Sequence, residues 1–95
     1  MLEKRSMRLK GHRTSLALEP SFWLAVTNIA KNRESTIPKV IESIDTIRTT
    51  NAPGIGPIDN TMSLASAVRV YVYELTAAQL ETALKSQVRT MRFGE

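Results

Sequence analysis

"GHRTSLALEP", residues 11–20, is the stretch whose reading decides the fold. From Arg13 to Leu18 it alternates with a period of two. Thr14, Leu16 and Leu18 fall on one face and Arg13, Ser15 and Ala17 on the other, as the opposed side-chain directions of an extended chain require. Pro20 ends this strand and suits the first turn of a helix, where a missing N–H costs nothing. The rest of the chain offers the strand no evident partner. A lone strand exposes a row of unpaired N–H and C=O groups, which is a template for pairing with another chain. The simplest closed solution is a homodimer in which residues 13–18 pair antiparallel with their own copy about a two-fold axis. A two-stranded ribbon is marginal alone, so its Thr14, Leu16 and Leu18 face must lie on helices, leaving Arg13, Ser15 and Ala17 outward.

Downstream, "PSFWLAVTNIAKN" carries Phe22, Trp23, Val26, Ile29 and Ala30 at helical spacing. "NREST" reads as a turn, with Asn32 tolerant of the left-handed conformation and Thr36 placed to cap the next helix. That second helix, "IPKVIESIDTIRT", lines up Ile37, Val40, Ile41, Ile44 and Ile47. "TNAPGIGPIDN" is a loop; its Gly54 and Gly56 lack the lysine and the preceding strand of a phosphate cradle. Residues 64–88 give two signals. "VRVYVYEL" alternates like a strand and is rich in β-branched and aromatic residues. Over the longer window Leu64, Val68, Tyr71, Leu75 and Ala78 recur three or four apart, which predicts a third helix, with a strand at 68–73 as the alternative. No internal repeat is apparent. The division expected is a basic arm at 1–12, a strand-helix-helix core at 13–49, a loop at 50–62, and a C-terminal helix and tail at 63–95.

Ninety-five residues make one domain. Cysteine is absent, which excludes disulfides, thiolate metal sites and cysteine nucleophiles and suits a reducing compartment. With no apolar run long enough to cross a bilayer and no apolar core of a signal peptide in "MLEKRSMRLK", the chain reads as cytoplasmic. The net charge of +4 is concentrated: Lys4, Arg5, Arg8, Lys10 and Arg13 stand against Glu3 alone in the first thirteen residues, and the remainder balances. A basic arm on a neutral body fits a polyanion, because clustered cations near phosphates release condensed counterions. A merely solvated tail is the other reading of such a run.

Enzyme chemistry finds little purchase. The single histidine, His12, sits in the basic arm, so neither a hydrolytic triad nor a metal cluster can be assembled, and no cofactor is implied. Glu42 and Asp45 are three apart on what reads as the outer face of an amphipathic helix, where a solvated pair is the ordinary explanation.

The order of basic arm, strand, helix, turn and helix in "RTSLALEPSFWLAVTNIAKNRESTIPKVIESI" resembles the ribbon-helix-helix family of bacterial DNA-binding repressors. The Phe22–Trp23 pair directly after the proline and the later "SLASAVRVYVYEL" sharpen the likeness. The resemblance implies a mainly helical fold with an intermolecular antiparallel ribbon in a homodimer, plus one additional C-terminal helix. It implies double-stranded DNA as partner, the ribbon entering the major groove with Arg13, Ser15 and Ala17 at base edges. Arg13 suits guanine O6 and N7, Ser15 suits several bases, and Ala17 suits a thymine methyl, although the family usually places polar side chains along that face. Phosphate contacts fall to Lys4, Arg5, Arg8 and Lys10 and, at the N-terminus of the second helix, to Thr36, Ile37 and Lys39. Pro38 removes one N–H from that turn, and Thr36 also reads as an ordinary cap. The dimer core implied is Leu16, Leu18, Phe22, Trp23, Val26, Ile41 and Ile44. An alternative function is a protein-interaction module, or an antitoxin-like protein, holding a partner through the C-terminal helix, where Leu75, Ala78, Leu80 and Leu84 form an apolar series; these residues could equally close the dimer core.

Overall fold

The strand at 12–18 is paired, and its partner lies in the same chain. The structure, a computed structural model, describes residues 1–50 and 57–93, with side chains through residue 85. Strand β1 (Glu3–Leu9) runs antiparallel to β2 (His12–Leu18), in register from Glu3 opposite Leu18 to Leu9 opposite His12. The overall class is as expected, a two-stranded ribbon followed by helices α1 (Pro20–Asn32), α2 (Ile37–Thr50) and the additional α3 (Leu64–Phe93). One particular is corrected. Residues 3–9 are a strand rather than an arm, and within the chain they pair with one edge of β2. Charge concealed the first strand: Lys4, Arg5 and Arg8 dominate it, yet its inward positions include Met7 and the buried Leu9.

The connection is a two-residue loop in which Lys10 has φ 52° and Gly11 φ 82°. Positive φ at both central residues matches the twist of a hairpin, and glycine reaches it without steric cost. Lysine does not, and its unusual conformation is held from outside. The Lys10 N–H donates to Glu42 Oε2 at 2.8 Å, and Lys10 Nζ lies 3.8 Å from Asp45 Oδ2. Glu42 and Asp45 therefore do not form a solvated outer pair. They face the hairpin turn and join it to α2.

Pro20 opens α1, with Glu19 as the capping residue in an extended conformation. Trp23, Val26, Ile29 and Ala30 form the buried stripe. The Trp23 indole N–H donates to the Glu3 carbonyl at 2.8 Å, fastening the beginning of β1 to α1. Asn32 ends α1 in helical conformation, and the left-handed residue of the following turn is Glu34, φ 51°. Thr36 caps α2 as expected, its Oγ1 accepting from the Lys39 N–H at 3.4 Å. Val40, Ile41 and Ile44 are the buried residues of α2. The segment at 68–73 is helical. Tyr71 is 5% exposed and Tyr73 68%; a strand would put them on one face, whereas a helix sets them roughly 200° apart. Ala67, Val68, Tyr71 and Val72 bury one stripe, so packing outweighs the β-preference of individual residues. Ser63 starts α3, its Oγ accepting from the Ser66 N–H at 3.1 Å.

One core joins the ribbon to all three helices: Leu9, Leu16 and Leu18 meet Trp23, Val26, Ile41, Ile44 and Val68. The residues expected in a dimer core are buried here inside a single chain, with Phe22 partly buried against them. Beyond Leu75, residues 76–85 of α3 are exposed, with Leu80 and Leu84 more than half so. They do not close this core. Gly54 and Gly56 lie outside the described residues.

A Cβ at Gly11 would meet nothing within 4 Å, so Gly11→Ala carries only the backbone penalty of its left-handed φ. We expect a loss of about 1 kcal/mol in urea unfolding. An unchanged midpoint would show that the turn does not hold this conformation.

Candidate nucleic-acid interface

Because the pleat alternates, pairing β1 with β2 creates two distinct surfaces. The inward face carries Leu9, Met7, Leu16 and Leu18. The outward face carries, in opposed pairs, Lys4 with Ala17, Ser6 with Ser15, and Arg8 with Arg13. All but Ala17, which is partly covered, are exposed. The Ser6 and Ser15 hydroxyl oxygens are 3.4 Å apart. Neither Arg8 nor Arg13 has an ion pair or side-chain hydrogen bond among the described residues, and a shallow cleft is lined by Ser6, Met7, Arg8 and Arg13. Three cations and two hydroxyls thus occupy one side of a ribbon whose other side is core. Such a surface offers donors to phosphate oxygens and to the acceptor edges of bases.

The expected base-contact residues Arg13, Ser15 and Ala17 do lie together on this face. The expected phosphate contacts separate into groups. Lys4 and Arg8 share the outward face. Arg5 points inward, its guanidinium 4.5 Å over the Trp23 ring and its Nε donating to Glu3 Oε2 at 2.6 Å. Lys10 is turned toward α2. Thr36 caps α2, and Ile37 and Lys39 belong to its first turn. Pro38 has no N–H and the Lys39 N–H is taken by Thr36, which leaves the Ile37 amide as the uncapped donor of that turn. Sequence reasoning missed Ser6, because an arm has no faces on which to place residues 3–9. The signal available was Gly11 between two alternating runs.

Ties across the helices hold the ribbon's support. Arg69 Nε donates to Glu19 Oε1 at 2.9 Å, linking the start of α1 to α3. Arg33 donates to the Tyr71 hydroxyl and lies 5.6 Å from its ring. Arg48 joins Asp45 and the Met62 carbonyl. A hydrogen bond from its own backbone N–H, then the one from Arg69, holds the Glu19 carboxyl below the usual glutamate range. The Asp59 carboxyl is lowered too, by the hydroxyl and then the amide of Thr61.

Residues 2–76 match the family model of the ribbon-helix-helix domain, and the chain belongs to that family. It is a family of DNA-binding regulators whose fold is non-enzymatic and whose members generally bind DNA as dimers. The matched range includes both strands and reaches well into α3. No curated protein and no solved structure gives a significant match. Among the described residues no helix is long and apolar enough to cross a membrane.

A carboxyl whose pKa is depressed on folding adds stability above its unfolded pKa, and that stability is lost as pH falls through the folded value. Urea midpoints should therefore decline below about pH 4.3, the ordinary glutamate value. In Glu19→Gln the decline should be shallower, with Asp59 still contributing. A decline as steep as in the wild type would exclude the Glu19–Arg69 contact as a source.

Proposed function

We propose that this protein is a dimeric, sequence-specific DNA-binding regulator of transcription that sets the outward face of its β1–β2 ribbon into the major groove. The observation that carries this reading is the outward face itself: Lys4, Arg8 and Arg13 without acidic partners among the described residues, flanking Ser6 and Ser15, on a ribbon backed by core. A two-stranded ribbon is narrow enough for the major groove, and its side chains then meet base edges. Arg13 takes guanine O6 and N7, Ser15 bonds adjacent base edges, and Ala17 packs on a thymine methyl. Lys4 follows the phosphate backbone, and the Ile37 amide with Lys39 receives a phosphate at the start of α2. Within this scheme Arg5 serves structure by covering Trp23. Lys10 serves it by fixing the turn.

Within the chain β1 covers one edge of β2, and the other edge stays open to a second chain. Two chains bring two such strand pairs to DNA, in line with the dimeric habit of the family. Half-sites spaced by about one helical turn would match such an arrangement.

Fluorescence anisotropy of labelled duplex DNA tests this reading. If a dimer neutralises roughly six phosphates, log affinity falls with log salt at a slope of about −5. Arg13→Ala should weaken binding and relax the preference for one base position. A slope near zero, or no binding at low salt, would rule the reading out.

A further inference from the structure

Among the described residues only one edge of β2 is occupied, by β1, and alternate residues of β2 turn their backbone N–H and C=O groups to the opposite edge. The two strands differ sharply as edges. β1 carries Glu3, Lys4, Arg5 and Arg8, whereas β2 carries no charge from Thr14 to Leu18. Charged side chains, lysine above all, blunt an edge against pairing with another chain. The edge suited to a second copy is therefore that of β2. Closed about a two-fold axis, the sheet then has four strands, the two β2 strands inside and one β1 on each flank.

The width of that sheet decides what each strand meets on DNA. Adjacent strands are about 4.8 Å apart, so each β2 lies roughly 2.4 Å from the two-fold axis and each β1 roughly 7 Å from it. The major groove is about 12 Å wide, or about 6 Å on either side of its midline. The inner strands fit between its walls. The outer strands do not, and come to rest over the phosphates that border the groove. Opposed residues of β1 and β2 project to the same side, so Lys4 and Arg8 are aimed at DNA together with Arg13 and Ser15.

We infer that β1 is a flanking clamp: Arg8, with Lys4, grips the phosphates along the groove walls and so seats β2 against the bases, without reading bases itself. The inference rests on the DNA-binding reading above and assigns within it the strand that positions the reader. The side chains agree. Lys4 and Arg8 have no carboxylate partner among the described residues, and Glu42 and Asp45, the acidic groups near the turn, engage Lys10 and Arg48. Arg8 directly opposes Arg13, an unfavourable pairing of like charges that a phosphate at the wall relieves. Lys4 and Arg8 are about 13 Å apart along an extended strand, so they reach different phosphates. With the start of α2, they supply the roughly six phosphate contacts per dimer on which the expected salt slope depends.

Anisotropy titrations over a salt series, on duplexes selected from a randomised pool, test this with the full chain and the variants Arg8→Ala, Arg8→Lys and Arg13→Ala. Far-UV circular dichroism melts establish that each is folded. Arg8→Ala should weaken binding to every duplex by the same factor, on the order of 10- to 100-fold near physiological salt, with the preferred sequence unchanged. Its salt slope should be shallower by about 2, at about 0.9 per phosphate with one Arg8 in each chain. Arg8→Lys should restore both affinity and slope, since a phosphate accepts an ammonium as a point charge. Arg13→Ala should instead relax one base position. In a mixture of labelled and unlabelled protein, isotope-filtered contacts between chains should join β2 to β2 and involve no residue of β1. If Arg8→Ala alters the preferred base at any position, leaves affinity and slope unchanged, or is no weaker than Arg8→Lys, the inference is wrong while DNA binding stands. Between-chain contacts of β1 would overturn the strand order and the clamp with it. If the wild type shows no salt-dependent binding of duplex DNA, the DNA-binding reading fails and this inference fails with it.

Discussion

Backbone pairing between residues 3–9 and 12–18 is the constraint on which the rest of the structure depends. It satisfies the polar groups along one edge of β2 and sorts the side chains of both strands onto two faces. Met7, Leu9, Leu16 and Leu18 then present one apolar surface to the helices, and the ribbon's free cations and hydroxyls are left on the other side. The turn that permits this pairing is held by α2 through Glu42 and Asp45, and its open end is held by α1 through the Trp23 indole. The ribbon is thus pinned at both ends.

This arrangement divides the basic residues of the first thirteen positions by task. Their sum makes one positive segment, but Arg5 covers the Trp23 ring and Lys10 stabilises an unfavourable backbone conformation. Lys4, Arg8 and Arg13 remain outward and without carboxylate partners among the described residues. Charge alone does not distinguish these roles. The parity of the strand does, because adjacent residues must point to opposite sides.

Much of the fold was legible in the sequence. The alternation from Arg13 to Leu18 located β2 and its inward face. Pro20 and the spacing of Trp23, Val26 and Ile29 located α1, and Thr36 located the start of α2. Periodicity exposes these because one face of each element is strongly apolar. It failed on β1, where charged residues occupy most positions and the turn is Lys-Gly rather than the more familiar Asn-Gly. It gave two answers for 68–73, where β-branched and aromatic residues suit a strand locally; the stripe of Ala67, Val68, Tyr71 and Val72 becomes decisive only once the core they join is known. The outward face was half legible for the same reason. Arg13, Ser15 and Ala17 followed from β2, whereas Ser6 and the facing of Lys4 and Arg8 required the partner strand.

The central claim is that residues 3–9 pair with residues 12–18 of the same chain, and isotope-filtered NOE spectroscopy on a mixture of labelled and unlabelled protein tests it most directly. Contacts between the paired strands, such as Lys4 with Ala17 and Arg8 with Arg13, should appear in uniformly labelled protein and be absent from the spectrum selecting contacts between chains. Their appearance in the between-chain spectrum would contradict the account and return the strand to a partner subunit.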